Sequence, residues 1–119
     1  MTLTTEKYFE RMHEVSASKL GLLKDMLELT RKQSDVITEE TTDQLLEIIE
    51  AKQKLIDSID KLDEEFNIYF ERLKFELKVK NLDELKGSNI SGLSEFKQCI
   101  GLIMKVMNEI DELDKKNNI

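Results

Sequence analysis

Residues 45–77 read LLEIIEAKQKLIDSIDKLDEEFNIYFERLKFEL. Apolar side chains recur at Leu45, Ile48/Ile49, Leu55/Ile56, Ile59, Leu62, Phe66, Tyr69/Phe70, Leu73 and Leu77. These steps of three and four residues align one face of an α-helix. The pattern predicts a helix over about residues 42–86, whose apolar stripe from Leu45 to Leu77 spans about 50 Å at 1.5 Å per residue. Between the apolar positions stand Glu50 and Lys54, Asp57 and Lys61, and Glu76 and Lys80. Each acid precedes its base by four residues, an order worth about 0.2–0.5 kcal/mol per pair on a solvated helix face. Thr41-Thr42-Asp43-Gln44 fits a capping box at the start of the rod. Lys86-Gly87-Ser88-Asn89 is expected to end it, with Gly87 suited to the left-handed residue after a helix.

Towards the N-terminus, Tyr8, Met12, Val15, Leu22, Met26 and Leu29 mark another helix, expected over about residues 5–35. Its stripe meets Lys19, next to Gly21, which reads as a soft point in the helix. Ser34 to Thr42 is polar and loses the period, so a connecting loop is expected there. Past Ile90-Ser91-Gly92, apolar residues resume in a third helix over about residues 92–117. The expected fold is all-α: one domain over residues 1–119, an elongated three-helix antiparallel bundle made of a long αα-hairpin and a C-terminal helix.

Composition agrees. In 119 residues, 39% are hydrophobic and 36% charged, with five Phe, two Tyr and no Trp. That supports thin seams between long helices better than a thick core. Proline is absent, where average usage of about 5% would supply roughly six, and continuous helices require its absence. The net charge of -7 repels phosphate backbones and anionic lipid, which argues against nucleic-acid and membrane partners. The first residues lack the apolar core of a signal peptide. The apolar cluster from Cys99 to Met104 is far short of the ~20 residues of a membrane span. A single Cys excludes an internal disulfide and fits a reducing compartment. A cytoplasmic location is therefore expected.

The third helix is apolar beyond the needs of packing. Leu93, Phe96, Ile100, Ile103, Met107 and Ile110 form one stripe, and Cys99, Leu102, Val106 and Leu113 a second, about 100° round the helix. With Met104, 11 of the 21 residues from Leu93 to Leu113 are apolar. A bundle helix needs an apolar arc only somewhat wider than about 100°. The excess is met by deeper burial between the other helices, by a homodimer seam, or by a partner's amphipathic helix. On the last reading the partner-binding residues are Cys99, Leu102, Met104, Val106, Met107 and Leu113, with the two thioethers suited to adaptable contacts.

Chemistry-bearing motifs are scarce. The sequence contains no phosphate-binding glycine loop, and one His with one Cys cannot build a HExxH pair or a zinc knuckle. Glu10-Arg11-Met12-His13 has the Glu-x-x-His spacing of helical di-iron sites, but it occurs once. His13 is expected on the surface or in a seam, and Cys99 as a small core residue. No cofactor and no catalytic residue are expected.

The run Leu45-Leu46-Glu47-Ile48-Ile49-Glu50-Ala51-Lys52-Gln53-Lys54-Leu55-Ile56-Asp57-Ser58-Ile59-Asp60-Lys61-Leu62-Asp63, followed by Glu64-Glu65-Phe66, resembles the FlgN family of bacterial flagellar export chaperones. The close, Ile110-Asp111-Glu112-Leu113-Asp114-Lys115-Lys116-Asn117-Asn118, is similar to that family's third helix. The resemblance covers most of the chain. It implies a cytosolic chaperone that binds the C-terminal helical part of hook–filament junction proteins and passes it to the flagellar type III secretion apparatus. It also implies cargo contacts on the C-terminal helix, here Leu93 to Leu113. Family members commonly continue past the turn matched by Asn117, whereas this sequence ends at Ile119.

Overall fold

A computed structural model describes residues 4–39, 42–81, 84 and 92–117. Among these residues it contains three helices, α1 (Thr5–Glu39), α2 (Thr42–Leu77) and α3 (Leu93–Asn117). The body measures 53 × 28 × 19 Å, the elongated bundle that the apolar stripes predict.

Thr4 starts α1. Its side chain accepts from Lys7 N–H at 3.2 Å and its carbonyl from Tyr8 N–H at 3.0 Å, satisfying amides that open every helix. The helix then runs through Ser34, where the sequence suggested a loop. Two features carry it. The Thr30 hydroxyl donates to the Met26 carbonyl at 2.8 Å, four residues back, and the Ser34 hydroxyl to Asn117 Oδ1 of α3 at 2.7 Å, so these polar side chains are satisfied without breaking the helix. Val36 then resumes the buried line. Lys19 is not a soft point either: its ammonium lies 2.7 Å from the Asp63 carboxylate of α2, inside a continuous helix.

At its far end α2 stops at Leu77, short of residue 86. Lys78 takes φ 56°. Val79 N–H donates to the Lys74 carbonyl at 3.1 Å and Lys78 N–H to that of Phe75 at 3.3 Å. This is a Schellman motif with lysine in the left-handed position, sealed by Val79 packing on the cluster that holds Leu73. The expected glycine stop at Gly87 and the capping threonine Thr41 lie outside the described residues. The ion pairs of α2 run from Lys74 to Glu71 and across to the neighbouring helices at Asp63 and Lys52, rather than along the three acid-then-base steps expected from the sequence.

α1 is the central helix. Asp63 reaches Lys19 and Lys52 reaches Gln33, which makes α2 antiparallel to α1. Phe9 meets Phe96, and Ser34 meets Asn117 at 2.7 Å, which makes α3 parallel to it. Two clusters form the core. One gathers Tyr8, Phe9, Met12, Leu73, Leu93 and Phe96, and the other Leu23, Met26, Leu27, Ile59, Cys99, Ile103, Val106 and Ile110.

Among the described residues no Cα of α2 comes within 8 Å of one in α3. Close-packed helices approach to an interaxial 8–10 Å, which brings some Cα atoms nearer than that. Here α2 and α3 lean on opposite shoulders of α1 and touch each other only through side chains.

Candidate functional site

Each of the six residues singled out on α3 has a definite place. Cys99 and Val106 are buried in the core cluster, and Leu113 is half-buried against it. The buried line of α3 is Leu93, Phe96, Cys99, Ile103, Val106 and Ile110. It therefore draws on both stripes read from the sequence, because α3 turns the seam between them towards α1. What this rotation leaves outside is Leu102 (45% exposed), Met104 (60%) and Met107 (47%).

These three do not share a surface. At about 100° per residue, Leu102 stands roughly 140° from Met107 and roughly 160° from Met104. Local contacts identify the two flanks. Leu102 lies on the side of Glu109, which reaches Arg31 of α1 at 3.7 Å, and of Glu95, which faces the start of α1. Met104 and Met107 lie on the side of Ile100 and Asp114. Ile100 lines a small hollow with Phe66 and Asp63 of α2, and Asp114 pairs with Lys52 of α2 at 2.9 Å. That flank looks into the gap between α2 and α3.

Two side-chain bridges span the gap. The Lys52–Asp114 pair stands at one end. At the other, the Phe66 and Phe96 rings stack at 5.9 Å with planes 13° apart. Lys52 is well covered (13% exposed) and Asp114 is not (46%), so solvent screens the pair and its worth is below about 1 kcal/mol. It sets register more than stability. Between the bridges, antiparallel register sets Ile56 about level with Met107, and Asp60 about level with Met104. Ile56 (37%) and Ile49 are exposed. The gap is thus a shallow cleft, floored by the core cluster of Ile59 and Ile103 and bordered by exposed isoleucines on α2 and exposed methionines on α3.

The α2 wall was visible in the sequence only as the doubled apolar positions Ile48/Ile49 and Leu55/Ile56. A doubled position widens a stripe beyond what one seam covers, and the second member of each pair is the exposed one. Three further side chains of α2 escaped the periodic reading, the first of them Leu46, exposed near its start. Ile68 and Phe75, seven residues apart, stand exposed on the outer face of α2.

Elsewhere, His13 is partly buried in a hollow lined by Glu6, Glu10, Glu14 and Glu95, and its Nδ1 finds no hydrogen-bond partner among the described residues. Among the described residues no three His, Cys, Asp or Glu side chains are placed to hold a metal ion. The Cys99 thiol is pushed above its ordinary pKa by burial, which disfavours the nucleophilic thiolate. No described helix is long and apolar enough to cross a membrane.

The all-helical bundle leaves Ile49, Ile56, Met104 and Met107 exposed on α2 and α3, apolar surface of the kind that protein partners cover. The FlgN family model, described as FlgN protein, matches residues 1–119, and the chain belongs to that family. It is a flagellar export chaperone. No curated protein and no solved structure matches the chain.

Proposed function

We propose that this chaperone binds the C-terminal helical segment of hook–filament junction proteins in the cytosol and shields it before secretion, acting by binding and not by catalysis. The observation that carries the reading is the cleft between α2 and α3. Ile56 of α2 and Met104 and Met107 of α3 stay exposed beside a gap across which no described Cα of one helix comes within 8 Å of the other. A client helix laid in this gap completes a four-helix arrangement and exchanges exposed apolar surface on both molecules for burial at about 25 cal/mol per Å².

The physical task is shielding. A subunit helix meant for contacts in a polymer carries apolar residues that aggregate when left exposed. An interface of ordinary size, about 1,600 Å², covers such a segment. A segment that orders only on binding returns about 2–5 kcal/mol of the gain, which keeps release to the secretion apparatus feasible.

The test is capture of a junction protein's C-terminal segment by the full-length chaperone, measured by calorimetry. Binding at micromolar concentration or tighter is expected, and its loss in Met104→Glu and Met107→Glu. Wild-type protein that leaves the segment free at micromolar concentration refutes the reading. So does a concentration-stable dimer that Met107→Glu dissolves, because the cleft is then filled by a second copy.

A further inference from the structure

Gly101 sits in the middle of α3, where glycine costs stability relative to alanine because it has more conformational freedom to lose. Within the protein nothing requires it: φ is negative, and a Cβ built on Gly101 meets no described atom within 4 Å. The residue is exposed and lies one turn before Met104, the most exposed apolar side chain of α3. The steps 101, 104 and 107 form one ridge of the helix surface, and 100, 103 and 106 another. A missing side chain in the first ridge opens a notch beside the cleft, through which a second backbone can approach closely.

The opposite wall gives the charge of what fits. Residues 57–65 of α2 hold five carboxylates against one lysine, Lys61. Of these carboxylates Asp63 is engaged by Lys19. Asp60 stands about level with Met104 on the side of α2 that borders the cleft.

We propose that Gly101 is a close-approach position for the partner helix, and that this helix carries basic residues along the edge next to α2. The inference rests on the cleft being the client site, and it adds which residue admits the client backbone and which side chains select it. The client helix lies along α3 over Met104, with its backbone in the Gly101 notch and a lysine or arginine edge against Asp60. A second copy of this chain is the poorer occupant, because its net charge of -7 meets the acidic stretch as like charge.

The decisive variant is Gly101→Leu. It adds an exposed apolar side chain beside Met104, so a surface bound merely by its apolar area binds as well or better. A close-approach position is blocked. The probe is a fluorescent synthetic helix of about 18 residues, five turns, with leucines at three–four spacing and lysines along one edge. The same helix with glutamates in place of the lysines is the comparison. Wild-type protein is expected to bind the lysine form at least about tenfold more tightly than the glutamate form. Gly101→Leu and Asp60→Lys are each expected to weaken it by about tenfold or more, and Gly21→Leu, on the outer face of α1, to leave it unchanged. Equal or tighter binding by Gly101→Leu, or no preference for the lysine form, overturns the proposal. The junction segment is titrated in parallel to separate two failures. If it binds wild type and Gly101→Leu alike, this inference falls and the client reading stands. If wild type binds neither ligand, both fall.

Discussion

Phe96 of α3 is fully buried, with Phe9 of α1 edge-on at 5.9 Å and Phe66 of α2 stacked at the same distance. One ring thus joins all three helices, although the described backbones of α2 and α3 do not meet. Truncation to alanine removes the aromatic bulk from a fully enclosed place and leaves a cavity between helices. Phe96→Ala is expected to lower unfolding free energy by about 3–5 kcal/mol, read from denaturant midpoints. Phe66→Ala, at a half-buried position, should cost less. A double-mutant cycle between Phe66 and Phe96 should return a coupling of about 0.5–1.5 kcal/mol. A coupling of zero would mean that the stack contributes only area.

The long helices were legible because their apolar periods are long and regular, with no proline to interrupt them. The boundaries were less so, each for an identifiable reason. Ser34 looks like a loop residue by composition, yet its hydroxyl is satisfied by Asn117 Oδ1 of α3 at 2.7 Å while α1 continues through it to Glu39. Lys78 ends α2 in a conformation that sequence logic reserves for glycine. The candidate site was half legible. Excess apolar surface on α3 could be counted from the sequence, but its direction depends on how α3 is rotated on α1. No helical period contains that rotation. It buries Cys99 and Val106, exposes Met104 and Met107 towards α2, and sends Leu102 to the other flank.

Two backbone positions offer stability that the fold does not use. Gly21 lies in the middle of α1 with no described atom within 4 Å of where a Cβ would stand. Gly21→Ala should stabilise the protein by about 0.5–1 kcal/mol, chiefly by restricting the unfolded chain. Lys78 presents the reverse case, since its φ of 56° strains any residue with a Cβ. Lys78→Gly relieves the strain and loses part of the gain to unfolded-state entropy, for a net stabilisation of about 0.5–1 kcal/mol. Urea titration of the two single variants checks both. Destabilisation by Gly21→Ala would point to a contact that the empty space around it denies.

Cys99 supplies a pH dependence. Burial raises its folded-state pKa by penalising the thiolate. Below the unfolded thiol's pKa of about 8.5 the group is neutral in both states and does not affect stability. As pH rises past that value the unfolded chain ionises first and is favoured, so the thiol's contribution is lost from there up through the folded pKa. Stability of wild type should therefore fall more steeply than that of Cys99→Ala above about pH 8.5. A thiol reagent should label native protein far more slowly than urea-unfolded protein. Fast labelling of the native state would show that the α1–α3 seam opens readily.

The two flanks of α3 make a final prediction that exposure alone does not. Leu102 and Met107 are equally exposed, at 45% and 47%, and both would count as available apolar surface. They differ in what stands beside them. Met107 looks across the gap at Ile56, whereas Leu102 stands on the flank of Glu109 and its Arg31 partner. A client helix seated between α2 and α3 covers the first and leaves the second in solvent. Met107→Glu should therefore weaken capture of a junction segment by at least about 1–2 kcal/mol, the cost of setting a charge against an apolar helix. Leu102→Glu should change it by less than about 0.5 kcal/mol, as surface substitutions away from an interface do. Both variants should fold normally, since each adds charge at an exposed site. Calorimetric titration of the two against the same segment decides the matter. If Leu102→Glu proves the more damaging, the client lies on the outer flank of α3 and the α2–α3 cleft is not its seat.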